Sequence, residues 1–146
     1  ETLHLTIRFL GDIDDPEPVA AAAAEAALNH DAFELELKGT GVFPHAGRAR
    51  IFWVGLGVGE REAGNLAKDV ERLLRGAGFP AERRPWHGHV TLGRFKRPQR
   101  VDPGLLDPFR VFGRTQADEL VLFQSTLTPE GALHESVREL SLGRGN

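Results

Sequence analysis

Along residues 2–10, Leu3, Leu5, Ile7 and Phe9 alternate with Thr2, His4, Thr6 and Arg8, the period of a half-buried strand. His4, Thr6 and Arg8 are thereby expected on one polar face. After Gly11, Asp14-Asp15-Pro16 supplies a capping carboxylate followed by proline near a first helical position, and opens an alanine-rich helix to about Leu28. Phe33, Leu35 and Leu37 alternate with Glu34, Glu36 and Lys38 and predict a second strand. The run Ile51-Phe52-Trp53-Val54-Gly55-Leu56 predicts a third, with residues 39–49 as the loop between them.

Spacings of three and four among Ala63, Leu66, Ala67, Val70, Leu73 and Leu74 mark an amphipathic helix over about residues 60–75, which Gly76 or Gly78 can end. Residues 86–95 have strand character, with Val90 and Leu92 opposite His89 and Thr91. Pro98, Pro103 and Pro108 read as breaking up the segment that follows. Strands around 120–123 and 133–142 complete an α+β order.

One internal repeat stands out. His4-Leu-Thr-Ile-Arg-Phe recurs as His89-Val-Thr-Leu-Gly-Arg-Phe, and two similar lobes related by a pseudo-twofold would explain it. The 146 residues, 40% of them hydrophobic, suffice for one core and not for two ordinary domains. We therefore expect a single two-lobed domain over residues 1–146.

Composition narrows the chemistry. No stretch approaches the roughly 18 to 20 apolar residues of a membrane helix. The absence of cysteine excludes disulfides, a thiolate nucleophile and a cysteine-ligated zinc. A net charge of -3 argues against a large non-specific nucleic-acid footprint, because such binding needs many phosphate contacts. A nucleic acid would be met locally, at an end.

Residues two apart in a strand point the same way, so each His-x-Thr sets an imidazole beside a hydroxyl, with Leu5 or Val90 anchoring the strand behind them. Two such strands facing each other make a four-group polar site. That set suits opening of a cyclic phosphodiester: water needs a base, the departing ribose oxygen needs an acid, and imidazole serves in either role near neutral pH. His4 and His89 are the candidate catalytic pair, with Thr6 and Thr91 as donors to the phosphate oxygens. Arg8, on the His4 face by alternation, is the candidate for a charge-assisted phosphate contact. Arg94 lies an odd number of residues from His89 and should face away, unless Gly93 makes a bulge.

These residues resemble the two-histidine phosphoesterase superfamily, and within it the RNA 2′,3′-cyclic phosphodiesterases long described as 2′-5′ RNA ligases (LigT-like). His4-Leu5-Thr6-Ile7-Arg8-Phe9-Leu10-Gly11 is similar to the first motif and its extension, and His89-Val90-Thr91-Leu92-Gly93-Arg94 to the second. Gly41-Val42-Phe43-Pro44, the 51–56 run and Ser125-x-Leu127-x-Pro129-x-Gly131 extend the likeness over essentially the whole chain.

The resemblance implies a bilobal fold of two antiparallel sheets with flanking helices around a central cleft. It also implies a 2′-phosphate product, no metal or other cofactor, and RNA ends or cyclic nucleotides as partners of a cytoplasmic monomer. It assigns the acid role to His4 and the base role to His89. Two departures stand beside it: family members begin with a strand and helix before the first motif, expected here upstream of Glu1, and often carry tyrosine where this chain has His134.

Other readings compete. His87, two residues before His89, could join it and His4 in a three-histidine metal site. Phe43 and Trp86 are candidates for base stacking at the cleft, while Trp53 reads as core. Arg94, Lys96, Arg97 and Arg100 read as a solvated face rather than an RNA track, and His30 and His45 as loop residues without function. Reversal of the reaction, joining RNA through a 2′-5′ bond, and a non-catalytic RNA-end or nucleotide-binding module are the functional alternatives.

Overall fold

The computed structural model describes residues 4–143. Helix α1 spans Glu17–Asn29, strand β1 Phe33–Phe43, β2 Ala49–Leu56, helix α2 Glu60–Gly76, β3 His89–Gln99, β4 Val111–Ala117, β5 Glu119–Thr128 and β6 Gly131–Ser141. The strands form two antiparallel sheets: four strands in the order β3-β2-β1-β4, and the β5-β6 hairpin. The lobes are thus unequal in strand number among the described residues.

Both helices form where the sequence patterns place them. The Asp15 carboxylate accepts the Glu17 backbone N–H at 3.0 Å, satisfying a donor that the first turn of α1 leaves open. At the end of α2, the Gly78 N–H reaches the Arg75 carbonyl and the Phe79 N–H the Leu74 carbonyl, with Gly78 at φ 96. This paired closure requires a left-handed residue that glycine adopts without strain. The buried face of α2 (Ala63, Leu66, Ala67, Val70, Leu74) meets Val19, Ala22, Ala26 and Ala27 of α1 together with Leu142. Small alanines on α1 let the two helices approach closely, and Leu140, Leu120 and Leu122 of the hairpin close the same core.

Four elements differ from the sequence reading. Residues 4–10 make no ladder: only Leu5 pairs, in an isolated antiparallel bridge with Val90, and residues 2–3 lie outside the described range. The segment is an extended chain whose Ile7 and Leu10 pack on the helical core while Phe9 is exposed, so the alternation does not carry through to residue 10.

β1 runs on to Phe43 instead of ending before residue 39. Gly39, at φ 80, sits at a register shift against β2, and a Cβ there would lie 2.8 Å from the Pro108 carbonyl oxygen. The glycine therefore marks a bulge and not a strand end.

β3 begins at His89 and continues through Pro98 to Gln99. The pairing jumps between Ala49↔Gln99 and Ile51↔Arg94, so Pro98 falls where no ladder N–H is required. β4 has no counterpart in the sequence pattern: it is an edge strand on β1 with Val111 and Phe112 exposed, so it lacks the apolar alternation of a half-buried strand.

Candidate active site

Val54 and Val90 pair across β2 and β3 and are 2% and 5% exposed, which fixes one face of the sheet as the buried one. The opposite face carries Gly41, Phe43, Trp53, Ile51, Gly55, His89 and Thr91 by cross-strand register. On that face the Trp53 ring lies over Gly41, where any Cβ would overlap it.

The Leu5↔Val90 bridge brings the first motif to the same place. With Leu5 facing Val90, His4 falls opposite Thr91 and Thr6 opposite His89, all four turned away from the two apolar anchors. Opposed Cβ atoms lie about 5 Å apart and diagonal ones about 7–8 Å. The two histidines occupy the diagonal of this register. The bridge is locally twofold-symmetric, so identical His-x-Thr segments on its two sides present identical groups in reversed order.

Each histidine has its own surroundings. His89 lies edge-on to Phe43 at 5.0 Å between ring centroids and 6.1 Å from Trp53. Its Nδ1–H donates to the His87 carbonyl at 2.7 Å, which fixes the tautomer with the Nε2 lone pair as the available acceptor. Burial holds the His89 pKa below the ordinary imidazole value, and the neighbouring His87 ring adds to this in smaller measure. The hydrogen bond to the His87 carbonyl pulls the other way. His89 is therefore a neutral imidazole near pH 7, the form a general base needs.

His4 belongs to the other sheet's side, 5.3 Å from the Phe123 ring and 5.7 Å from His134. His134, whose role the sequence leaves open, shares a 2.7 Å hydrogen bond between its Nδ1 and the Ser125 hydroxyl.

Three expectations change. Arg8 does not present its guanidinium to the histidines as its binding role required. Nε donates to Glu71 at 3.0 Å, Nη2 to the Pro80 carbonyl and Nη1 to its own neighbour's carbonyl at 2.7 Å each. It ties the segment carrying His4 to α2 and the chain beyond it.

Trp86, expected at a stacking face, donates its indole N–H to the Thr6 carbonyl at 3.1 Å, and its ring lies against Gly64 of α2 and Gly88. Its place is behind the first motif.

Arg94, expected to face away, is turned onto the His89 side. The register shifts between Phe52↔Gly93 and Trp53↔Thr91, so an extra residue on β3 restores the parity of Arg94 with Thr91. This is the bulge beside Gly93 on which the alternative depended.

The Phe43 ring lies beside those of Trp53, His87 and His89, at 5.2, 5.3 and 5.0 Å between centroids. The three-histidine metal alternative is not assembled: His87 and His89 adjoin, but among the described residues no three His, Asp or Glu side chains gather as a metal site.

The sequence pattern of the 2′-5′ RNA ligase superfamily matches residues 1–126, both His-x-Thr motifs included. The chain belongs to the 2′-5′ RNA ligase superfamily. Among members of this superfamily, it is similar to an RNA 2′,3′-cyclic phosphodiesterase of Aeropyrum pernix, at 36% identity covering 96% of this chain and 82% of that protein. It is also similar to an RNA 2′,3′-cyclic phosphodiesterase of Aquifex aeolicus, at 34% identity covering 98% and 79%. Its fold matches the crystal structure of TT0787 of Thermus thermophilus with a TM-score of 0.82 at 27% identity, over 98% of this chain and 80% of that one.

Proposed function

We propose that this protein hydrolyses the 2′,3′-cyclic phosphate of RNA ends or nucleosides to a 2′-phosphomonoester, by acid–base catalysis without a metal. The observation that carries the reading is the Leu5↔Val90 bridge, which sets His4 and His89 diagonally across one four-group face. The two phosphodiesterase relatives support the reaction class.

In the reaction so read, the His89 Nε2 accepts a proton from water as its oxygen attacks phosphorus. The bond from phosphorus to the 3′ oxygen breaks, and His4 delivers a proton to that oxygen. Thr6 and Thr91 donate to the non-bridging oxygens as their charge grows. Proton exchange with solvent restores both imidazoles. Phe43, edge-on to His89, is the aromatic face offered to the terminal base. Arg94 supplies the guanidinium that Arg8 does not.

We read the protein as a monomer working as one two-lobed domain over residues 1–146. No helix among the described residues is long and apolar enough to cross a membrane, and a cytoplasmic location is part of the proposed reading. The same groups run backwards by exchanging acid and base, so 2′-5′ joining is the second reading, favoured by the name of the matched superfamily.

The test is incubation of the protein with adenosine 2′,3′-cyclic phosphate in the presence of EDTA, with the product isomer identified by chromatography. Adenosine 2′-phosphate is expected. No product from the cyclic nucleotide and none from a short RNA ending in a 2′,3′-cyclic phosphate, or activity lost to EDTA and restored by a divalent metal, contradicts the reading.

A further inference from the structure

The likeness between the two half-sites extends past the His-x-Thr motifs. Each motif histidine has a phenyl ring and a second imidazole beside it. His89 meets Phe43 at 5.0 Å and His87 at 5.4 Å between centroids, and His4 meets Phe123 at 5.3 Å and His134 at 5.7 Å. The two companions act through different groups. His87 reaches His89 through its backbone carbonyl, whereas His134 comes from the β5-β6 hairpin and meets His4 ring to ring, at an interplanar angle of 77°.

Strand register builds that contact. Ser125 and His134 are directly opposed on β5 and β6, and Phe123 lies two residues before Ser125, so all three side chains share one face of the hairpin. On that face the Ser125 hydroxyl and the His134 Nδ1 share a 2.7 Å hydrogen bond. The last torsion of an imidazole side chain is soft, and this bond removes its freedom: a ring flip would put a carbon where Nδ1 now meets the hydroxyl. The His134 ring is thereby held close to perpendicular to that of His4.

The same softness applies to His4. The Leu5 bridge fixes the side on which its ring lies but not the plane of the ring, and a general acid must direct its N–H along the line to the departing oxygen. Resting on the phosphodiesterase reading, we propose that His134 is a positioning residue for His4: it sets the plane of the acid's imidazole, and Ser125 holds His134 in turn. This assigns a role to a histidine that the sequence leaves open, and to the hydroxyl opposite it.

The experiment measures kcat and KM on a short RNA ending in a 2′,3′-cyclic phosphate, in wild type, His134→Ala, His134→Phe, Ser125→Ala and the double variant that combines the last two. Ser125 and His134 are exposed on the hairpin, so these variants keep the fold. His134→Ala is expected to lose about tenfold in kcat, a part of the roughly 10²–10⁴-fold that an acid–base group contributes, with KM within about twofold. His134→Phe keeps a ring without its anchor, and Ser125→Ala takes the anchor from the ring. Each should lose about threefold in kcat, and the double variant no more than either, because both changes break the same bond.

Unchanged kcat in His134→Ala overturns the proposal, and so does a loss carried by KM, which would place His134 against the substrate. Losses that multiply in the double variant overturn it as well, since Ser125 would then act apart from His134. Should wild type cleave no such RNA, the reaction reading itself fails, and the placement is judged by NMR. The ring-proton signals of His4, assigned by their loss in His4→Ala, should move in Ser125→Ala, and signals that stay in place overturn it.

Discussion

Leu5 and Val90 face each other across a single antiparallel bridge, and that one pairing determines which four side chains share the proposed catalytic face. The anchors are apolar and the groups they carry are polar. A register slip of one residue would turn His4 and Thr6 inward and leave His89 and Thr91 alone. The proposed catalytic geometry rests on this pairing and on what holds it.

His89 is held neutral by burial first of all. A base with a lowered pKa stays unprotonated to lower pH, so its activity fails only as pH falls through the lowered value. The acidic limb of kcat/KM, which reports the free enzyme, should therefore have its midpoint below about 6.5, the ordinary imidazole value. A midpoint above that value would contradict His89 as the base.

His87 orients His89 through its backbone carbonyl and not its ring. His87→Ala should keep activity within about threefold, well short of the 10²–10⁴-fold that an acid–base group contributes. Removing the neighbouring ring's charge should move the acidic limb toward higher pH, because that ring lowers the His89 pKa. Loss of all activity in His87→Ala, together with sensitivity to chelators, would restore the metal alternative.

The Trp86 indole holds the Thr6 carbonyl, one residue from the Leu5 anchor. Trp86→Phe keeps most of the ring and removes this hydrogen bond, so stability should fall by about 1 kcal/mol in urea denaturation. Because Thr6 would shift relative to the phosphate, kcat should fall more than KM rises. A rise in KM alone would instead place Trp86 in the substrate's path.

Arg8 and Glu71 are 14% and 24% exposed along their side chains, so their pair is only partly screened. Arg8→Ala should destabilise the fold by about 2 kcal/mol, as hydrogen bonds to charged groups do, and Glu71→Gln by less. A double-mutant cycle on stability should give a coupling above about 0.5 kcal/mol. Additive effects, with a large rise in KM for Arg8→Ala, would return Arg8 to the phosphate.

The histidine and threonine pairs are legible in the sequence because alternation alone decides which side chains share a face, and both helices because three-and-four spacing is local. Arg94 is not legible. Its direction depends on a bulge that exists only in the pairing of β3 with β2, and parity counted along one strand cannot contain it. Arg8 escapes for a different reason: its partner Glu71 lies 63 residues later, and residues 4–10 form no ladder beyond the single Leu5 bridge that would carry the alternation on to it. Trp86 is visible as an aromatic but its N–H partner is 80 residues distant. β4, an exposed edge strand between prolines, carries no apolar rhythm. The resemblance supplies the lobed architecture, whereas the unequal sheets appear only in the folded chain.

The most direct test of the central claim is the single-turnover rate of RNA 2′,3′-cyclic phosphate opening by wild type, His4→Ala, His89→Ala and the double variant, each verified as folded by circular dichroism. If the two histidines act as one acid–base unit, each single variant loses at least about 10²-fold, and the double variant is little worse than either. A single variant retaining near wild-type rate, or losses that multiply in the double variant, would contradict a paired site built across Leu5 and Val90.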